Sequence, residues 1–184
     1  MKNGVIPIQV LGVIPTNRGC AVFVGNSDKT FTIYVETTVG QAIAMFMQGT
    51  PKERPLTHDM VGHIFHGLGV SVQRVIINDL KNGTYFARLI LKQENELGQK
   101  IIEVDARPSD CIALAVQAKA PLFVSKAVFD EVEDMTEVLK KLNDMQGEFN
   151  VEGAEGDIEG GPTKPNPDVD EPGPEDKPPG GGKT

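Results

Sequence analysis

IIEVDARPSDCIALAVQAKAPLFV, residues 101–124, decides how this chain folds. It reads as a strand over Ile101–Val104, a polar turn over Asp105–Asp110, a helix over Pro108–Ala118 and a second strand over Pro121–Val124. Pro108 suits a first helical position, where its missing N–H would have no partner and its φ is already near the helical value. Asp110 follows in the first turn, where the helix dipole and free backbone N–H groups favour a carboxylate. From Cys111 to Val116 the helix offers no polar face, so it is predicted to be buried nearly all round. Ala113, Ala115 and Ala118 let other backbones come close. A buried helix with Asp105, Arg107, Ser109 and Asp110 at its polar entrance is where function should be sought.

Working outward, Val5–Ile14 is apolar on both faces and reads as a buried strand. Cys20–Val24 and Thr30–Val35 are β-rich runs joined by the hairpin signal Gly25-Asn26-Ser27-Asp28. Val39–Gln48 changes period, with Ile43 and Met47 and the Ala42/Phe46 pair at helical spacing before Gly49. Its Met45-Phe46-Met47 cluster suits core or subunit packing, or a hydrophobic pocket. Thr57 is an expected N-cap for a helix over Thr57–Leu68, with Asp59 in its first turn. Val70–Asp79 and Thr84–Leu91 are strands joined at Asn82-Gly83, a tight-turn signal. Lys92–Gln99 reads as a polar connection. Asp134–Leu142 closes the domain as a helix with Met135, Val138, Leu139 and Leu142 on one stripe. Grouped hairpins and helices predict an α+β fold: a mixed, largely antiparallel sheet, a few helices packed against it, and one buried central helix.

The 184 residues suit one domain with chain to spare, set here at 1–146. Residues 1–150 carry 15 Lys+Arg against 17 Asp+Glu, whereas 151–184 carry 3 against 9. The domain is therefore near neutral, without the cationic excess of a protein that grips long nucleic acid by its phosphates. In 151–184, 15 of 34 residues are Gly or Pro and none is aromatic. Too little apolar surface is available there to offset ordering entropy, which predicts a disordered acidic tail over 147–184. Cys20 and Cys111 are too few and too far apart for a disulfide framework or a CxxC metal pair, and suit a reducing compartment. No apolar run approaches the ~20 residues of a membrane span. Val5–Ile14, broken by Pro7, Gln9 and Gly12, reads as a strand rather than a signal peptide. A cytoplasmic protein is expected.

The run D-A-R-P-S-D-x-I-A-L-A-V at 105–116, followed by A-P-L-F-V at 120–124, closely resembles the bifunctional nuclease (BFN domain) family. Arg54-Pro55-Leu56-Thr57-His58-Asp59 and the segment Arg74–Ala87 agree with it, so the resemblance extends over roughly Val5 to Val132. It implies a nuclease that cuts both RNA and DNA.

Phosphodiester hydrolysis calls for carboxylates to hold a divalent ion, a base for the water and cations for the charge on phosphorus. Asp105 and Asp110 are the expected ligands of Mg²⁺ or Mn²⁺. His58 and Asp59 join them as catalytic candidates if the two helix entrances face each other. Arg54, Arg107 and Ser109 are the expected substrate-binding residues, the arginines as bidentate phosphate clamps. A competing structural role is a helix cap or internal ion pair for each Asp. His63 and His66 lie at offsets 5 and 8 from His58, which is not the spacing of a zinc pair. Asp79-Leu80-Lys81 beside Asn82-Gly83 is hairpin chemistry. Arg54-Pro55 and Arg107-Pro108 form a faint internal echo, each at the mouth of a helix. Two alternatives to the nuclease follow: a non-catalytic homo-oligomeric module, and a protein that binds a small anion or nucleotide at the helix N-termini.

Overall fold

The computed structural model describes residues 4–95 and 98–151. The chain runs β1 (Val5–Thr16), β2 (Gly19–Gly25), β3 (Thr30–Val35), α1 (Thr37–Gln48), α2 (Thr57–Gly67), β4 (Val70–Lys81), β5 (Thr84–Asn95), β6 (Gly98–Ala106), α3 (Pro108–Ala118), β7 (Leu122–Ser125), α4 (Lys126–Glu131) and α5 (Thr136–Val151). The strands form one seven-stranded sheet in the order β3-β2-β1-β7-β4-β5-β6. Every pair is antiparallel except β4–β7. This is the mixed α+β sheet expected, and α3 is its buried helix: Cys111, Ile112, Ala113, Leu114 and Ala115 are all in the core. Full burial of a side chain such as Ile112 contributes about 1.5–3 kcal/mol.

The backbone contains the same unit twice. The meander β1–β2–β3 leads into α1, and β4–β5–β6 leads into α3; β7 lies between the two meanders. The echo read from Arg54-Pro55 is therefore displaced. The helix standing where α3 stands is α1, whose N-cap is Glu36, and the counterpart of Glu36 is Arg107, the N-cap of α3. Gly40 lets α1 lie directly on β2, because any Cβ there would run into Cys20. The sheet curls until Tyr85 of β5 stacks on Phe31 of β3, with ring centroids 6.1 Å apart. That curl brings the end of β3 towards the entrance of α3.

Several boundaries differ from expectation. In β1 only Ile8 is buried, and Val5 and Leu11 are exposed, because no helix covers that strand on both faces. Most of the stretch read as a connection is strand: Lys92–Asn95 of β5 pair with Gly98–Ile101 of β6, down to Asn95 opposite Gly98. The last helix begins at Thr136, where Asp134 accepts from the Thr136 N–H; it packs Leu139 and Leu142 on Ala21 and Phe23, with Met135 just before it against the same cluster, while Val138 stays exposed. The short α4 was not foreseen; Ser125 caps it by accepting from the Val128 N–H. Asn82 and Gly83, both at positive φ, make the expected tight turn between β4 and β5. Beyond the end of α5, the predicted acidic tail lies outside the described residues.

Candidate active site

Three helices point their N-termini into one cleft of about 330 Å³. Its wall includes Glu36 and Thr38 at the start of α1, Thr57 and His58 at the start of α2, and Arg107 and Asp110 at the start of α3. Neither Glu36 nor Arg107 caps its own helix with a side-chain hydrogen bond. Each N-terminus carries roughly +0.5 of an elementary charge. Arg107 and these dipoles thus face the carboxylates of Glu36 and Asp110 across the cleft wall.

Asp110 is the hub. His58 Nε2 lies 3.3 Å from its Oδ1, and Arg107 Nε donates to its Oδ2 at 2.8 Å. A carboxylate only accepts, so Nε2 is the donor in this bond. His58 is held from its other side by Phe46 of α1, edge to face at 6.3 Å. Its side chain is only 12% exposed, against 30% for Asp110 and 63% for Arg107. The solvated histidine that a helix-start position suggests is instead a packed one. Arg107 also reaches the Glu36 carboxylate at 3.6 Å, so the N-caps of the two repeated units are paired. The hydrogen bond that Arg107 donates to Asp110, then the charge of Asp110 and that of Glu36, hold Arg107 protonated still more firmly than usual.

Beneath Asp110, Cys111 is fully buried. Burial first, then the Asp110 and Asp105 carboxylates, push its thiol up to about 12, so it is no nucleophile.

The other expected site residues lie elsewhere. Thr57 is not the N-cap of α2; Leu56 is, and Asp59 Oδ2 accepts its N–H at 2.8 Å. Asp59 Oδ1 also accepts from Lys52 Nζ at 2.8 Å and from Gln117 Nε2 at 2.7 Å, so this carboxylate fastens α2 to α3. Lys52 in turn rests on the Phe46 ring, 4.1 Å from its centroid. Asp105 lies on the sheet face away from the helices, since its neighbours Ile102 and Ala106 pack on the core. There it pairs with Arg88 at 3.0 Å. Arg54 is exposed and is not among the residues lining the cleft. Ser109 lines an adjoining concavity next to Arg107.

The structure thus brings together His58, Arg107 and Asp110, and not Arg54, Asp59 or Asp105. Glu36, the missed member, had one signal: it stands at the α1 entrance as Arg107 stands at the α3 entrance. A divalent ion on Asp105 and Asp110 does not fit this arrangement, because each carboxylate already faces an arginine from a different side of the sheet. Among the described residues no group of three His, Cys, Asp or Glu side chains is placed to hold a metal. No described helix is long and apolar enough to cross a membrane.

Residues 22–137, which include every residue of this cluster, match the family model described as the bifunctional nuclease domain. An uncharacterized protein of Mycobacterium tuberculosis (strain ATCC 25618 / H37Rv) is 38% identical over 103 residues, covering 56% of this chain and 58% of that protein. Bifunctional nuclease 1 of Oryza sativa subsp. japonica is 28% identical over 103 residues, covering 55% of this chain and 30% of its own. The chain therefore spans less than two thirds of the length of either relative.

Proposed function

Because this chain belongs to the bifunctional nuclease domain family, we propose that it hydrolyses phosphodiester bonds in RNA and DNA at the His58–Asp110–Arg107 cluster. The observation that carries this reading is the single cleft in which a histidine oriented by a carboxylate, an arginine and three helix N-termini meet. His58 takes a proton from water at Nδ1 while Asp110 stabilises the imidazolium that forms. The water oxygen bonds to phosphorus as the bond to the leaving sugar oxygen breaks, and that oxygen takes a proton from solvent. Arg107, with one edge on Asp110, Nη1 towards Glu36 and most of its surface open, meets the charge that builds on the phosphoryl oxygens. Ser109, beside it, supplies a hydroxyl to the adjoining nucleotide. Asp59 acts as a positioning residue that fixes α2 and hence His58. The buried free thiols of Cys20 and Cys111 fit a cytoplasmic setting, which is part of the same proposal.

The test is cleavage of labelled RNA and DNA oligonucleotides by the full chain, with and without a chelator. His58→Ala should lower the rate about 10²- to 10⁴-fold, the usual worth of a general base. Arg107→Ala should lower it as well, and chelation should leave it within about twofold, since no step above passes through a metal. Intact substrates with the wild-type chain, or full activity in His58→Ala, would refute the assignment. Collapse of the rate on chelation would put Mg²⁺ or Mn²⁺ back at the centre and require Arg107 to leave Asp110.

One observation favours an oligomeric module as a second reading. α2 buries none of its residues, and Met60, Ile64 and Leu68 form an exposed apolar stripe along it, at 52%, 51% and 62% exposure. Self-association of the chain through this stripe is compatible with catalysis, because His58 faces the other way, towards α1 and α3.

A further inference from the structure

We propose that a groove leading away from His58 and Asp110 binds single-stranded nucleic acid, with one base stacked on Tyr34 and the neighbouring phosphate held by Arg18; this rests on the nuclease reading above and assigns a substrate path to the same site. Three concavities, of about 330, 340 and 530 Å³, share walls in series. Glu36 and Arg107 line both the first and the second; Tyr34 and Val35 line both the second and the third. The far end is the β1–β2 turn, which carries Arg18. Gly19 pins that turn against β3: its φ of +144° and the Val35 carbonyl beside it leave no room for a side chain.

Tyr34 is the most exposed large apolar side chain of the described residues, at 73%, although Ile33 and Val35 on either side are buried. Strand alternation therefore turns Tyr34 and Glu36 to one side, two residues and about 7 Å apart along the chain. Glu36 in turn touches Arg107. A ring, a cation and the reaction centre are thus aligned at short steps, which suits alternating bases and phosphates. A flat aromatic ring offers stacking to any base, and a base is free to use it only when it is not already stacked in a duplex.

The edge of β3 argues against a peptide in the same groove. Thr30 has its N–H and C=O engaged by Thr136 and Met135, and the Thr32 C=O accepts from the Tyr85 hydroxyl. By the alternation of an antiparallel strand, Tyr34 is the next residue to face outward, and it is the last before α1 begins. One open residue is too short an edge for an added strand. Arg18 lies outside residues 22–137, so this end of the groove is a feature of the present chain beyond the matched segment.

The test is fluorescence anisotropy with the full chain carrying His58→Ala, using a labelled oligothymidylate, a duplex hairpin and an abasic deoxyribose-phosphate strand of equal length. The oligothymidylate should bind more tightly than the duplex. Tyr34→Ala should weaken it roughly 5- to 150-fold, the range of one base–aromatic stack, and Tyr34→Phe should restore it. On the abasic strand Tyr34→Ala should change nothing, whereas Arg18→Ala should weaken both strands and lower the salt slope by about one. Equal loss on thymidylate and abasic strands, preference for the duplex, or no binding would overturn the groove. Cleavage is scored separately: His58-dependent cleavage with no Tyr34 effect removes the groove and keeps the nuclease, while Tyr34-dependent binding without cleavage by any variant keeps the groove and removes the nuclease.

Discussion

Asp59→Asn tests whether this carboxylate holds the fold, in contrast to Asp110, to which the proposed mechanism gives a part in the chemistry. Asp59 accepts from the Leu56 N–H, Lys52 and Gln117 at 2.7–2.8 Å. An Asn with its oxygen at the Oδ1 position still accepts from Lys52 and Gln117, but it presents an NH₂ to the Leu56 N–H, so one bond is lost, and the other two lose the carboxylate charge. Hydrogen bonds to charged groups are worth about 1.5–3 kcal/mol each, less here because Lys52 can turn to water. The net cost is about 2–3 kcal/mol, or a fall in Tm of about 4–12 °C for a domain of this size. Burial alone would raise the Asp59 pKa. The Lys52 and Leu56 hydrogen bonds, the Gln117 amide and the charge of Lys52 outweigh it and hold this carboxyl below its ordinary value of 3.8. A folded pKa below the unfolded one makes ionisation favour folding. The gap between wild type and Asp59→Asn in thermal melts followed by circular dichroism should therefore be full above the unfolded pKa of 3.8 and close as pH falls through the lowered folded value. Cleavage should fall only several-fold, through looser placement of His58. An unchanged Tm with cleavage abolished would refute the reasoning and make Asp59 a catalytic residue.

Two further outcomes test the packing around the cleft. Gly40→Ala would press a methyl group onto Cys20 Cβ and Sγ; overpacking outweighs the gain in helix propensity and should cost about 1–2 kcal/mol in urea melts, and Cys20→Gly in the same chain should recover part of it. Replacing Met60, Ile64 and Leu68 together by Gln should convert an oligomer to a monomer in sedimentation, with the fold retained because none of the three is buried. A wild-type chain that already sediments as a monomer would rule that face out.

The parts of the fold legible in the sequence were those set by local physics. Pro108 and the unbroken apolar run after Asp110 marked a buried helix, Asn82-Gly83 marked a turn, and α3 and the β4–β5 hairpin stand where they were read. Lys92–Gln99 reads as a connection because polar residues on an exposed ladder carry the same composition as a loop; only the pairing partner across the sheet distinguishes them. The candidate site was half legible for a similar reason. Asp59, Asp105 and Asp110 are chemically alike and all stand at or just before a helix. What separates them is the cation each meets, Lys52, Arg88 or Arg107 with His58, and those partners come from 3 to 52 residues away.

The repeated unit explains why the cleft lies where it does. Two copies of a meander-and-helix motif set the N-termini of α1 and α3 side by side, and in a strictly repeated sequence the two N-caps would carry the same charge and repel. Here they are Glu36 and Arg107, which attract across 3.6 Å and hold the seam closed. The asymmetry goes further. The first turn of α1 has no acid, whereas that of α3 has Asp110. One helix entrance is thus left with its N–H groups facing the cleft, and the other is supplied with a carboxylate that a histidine can use. The histidine belongs to neither copy. α2 intervenes between α1 and β4, and its first turn brings His58 to the seam, fastened there by Asp59 one residue later. A symmetric scaffold can bind an anion between paired helix ends; general-base chemistry needs one base on one side, and in the proposed mechanism α2 is the element that supplies it.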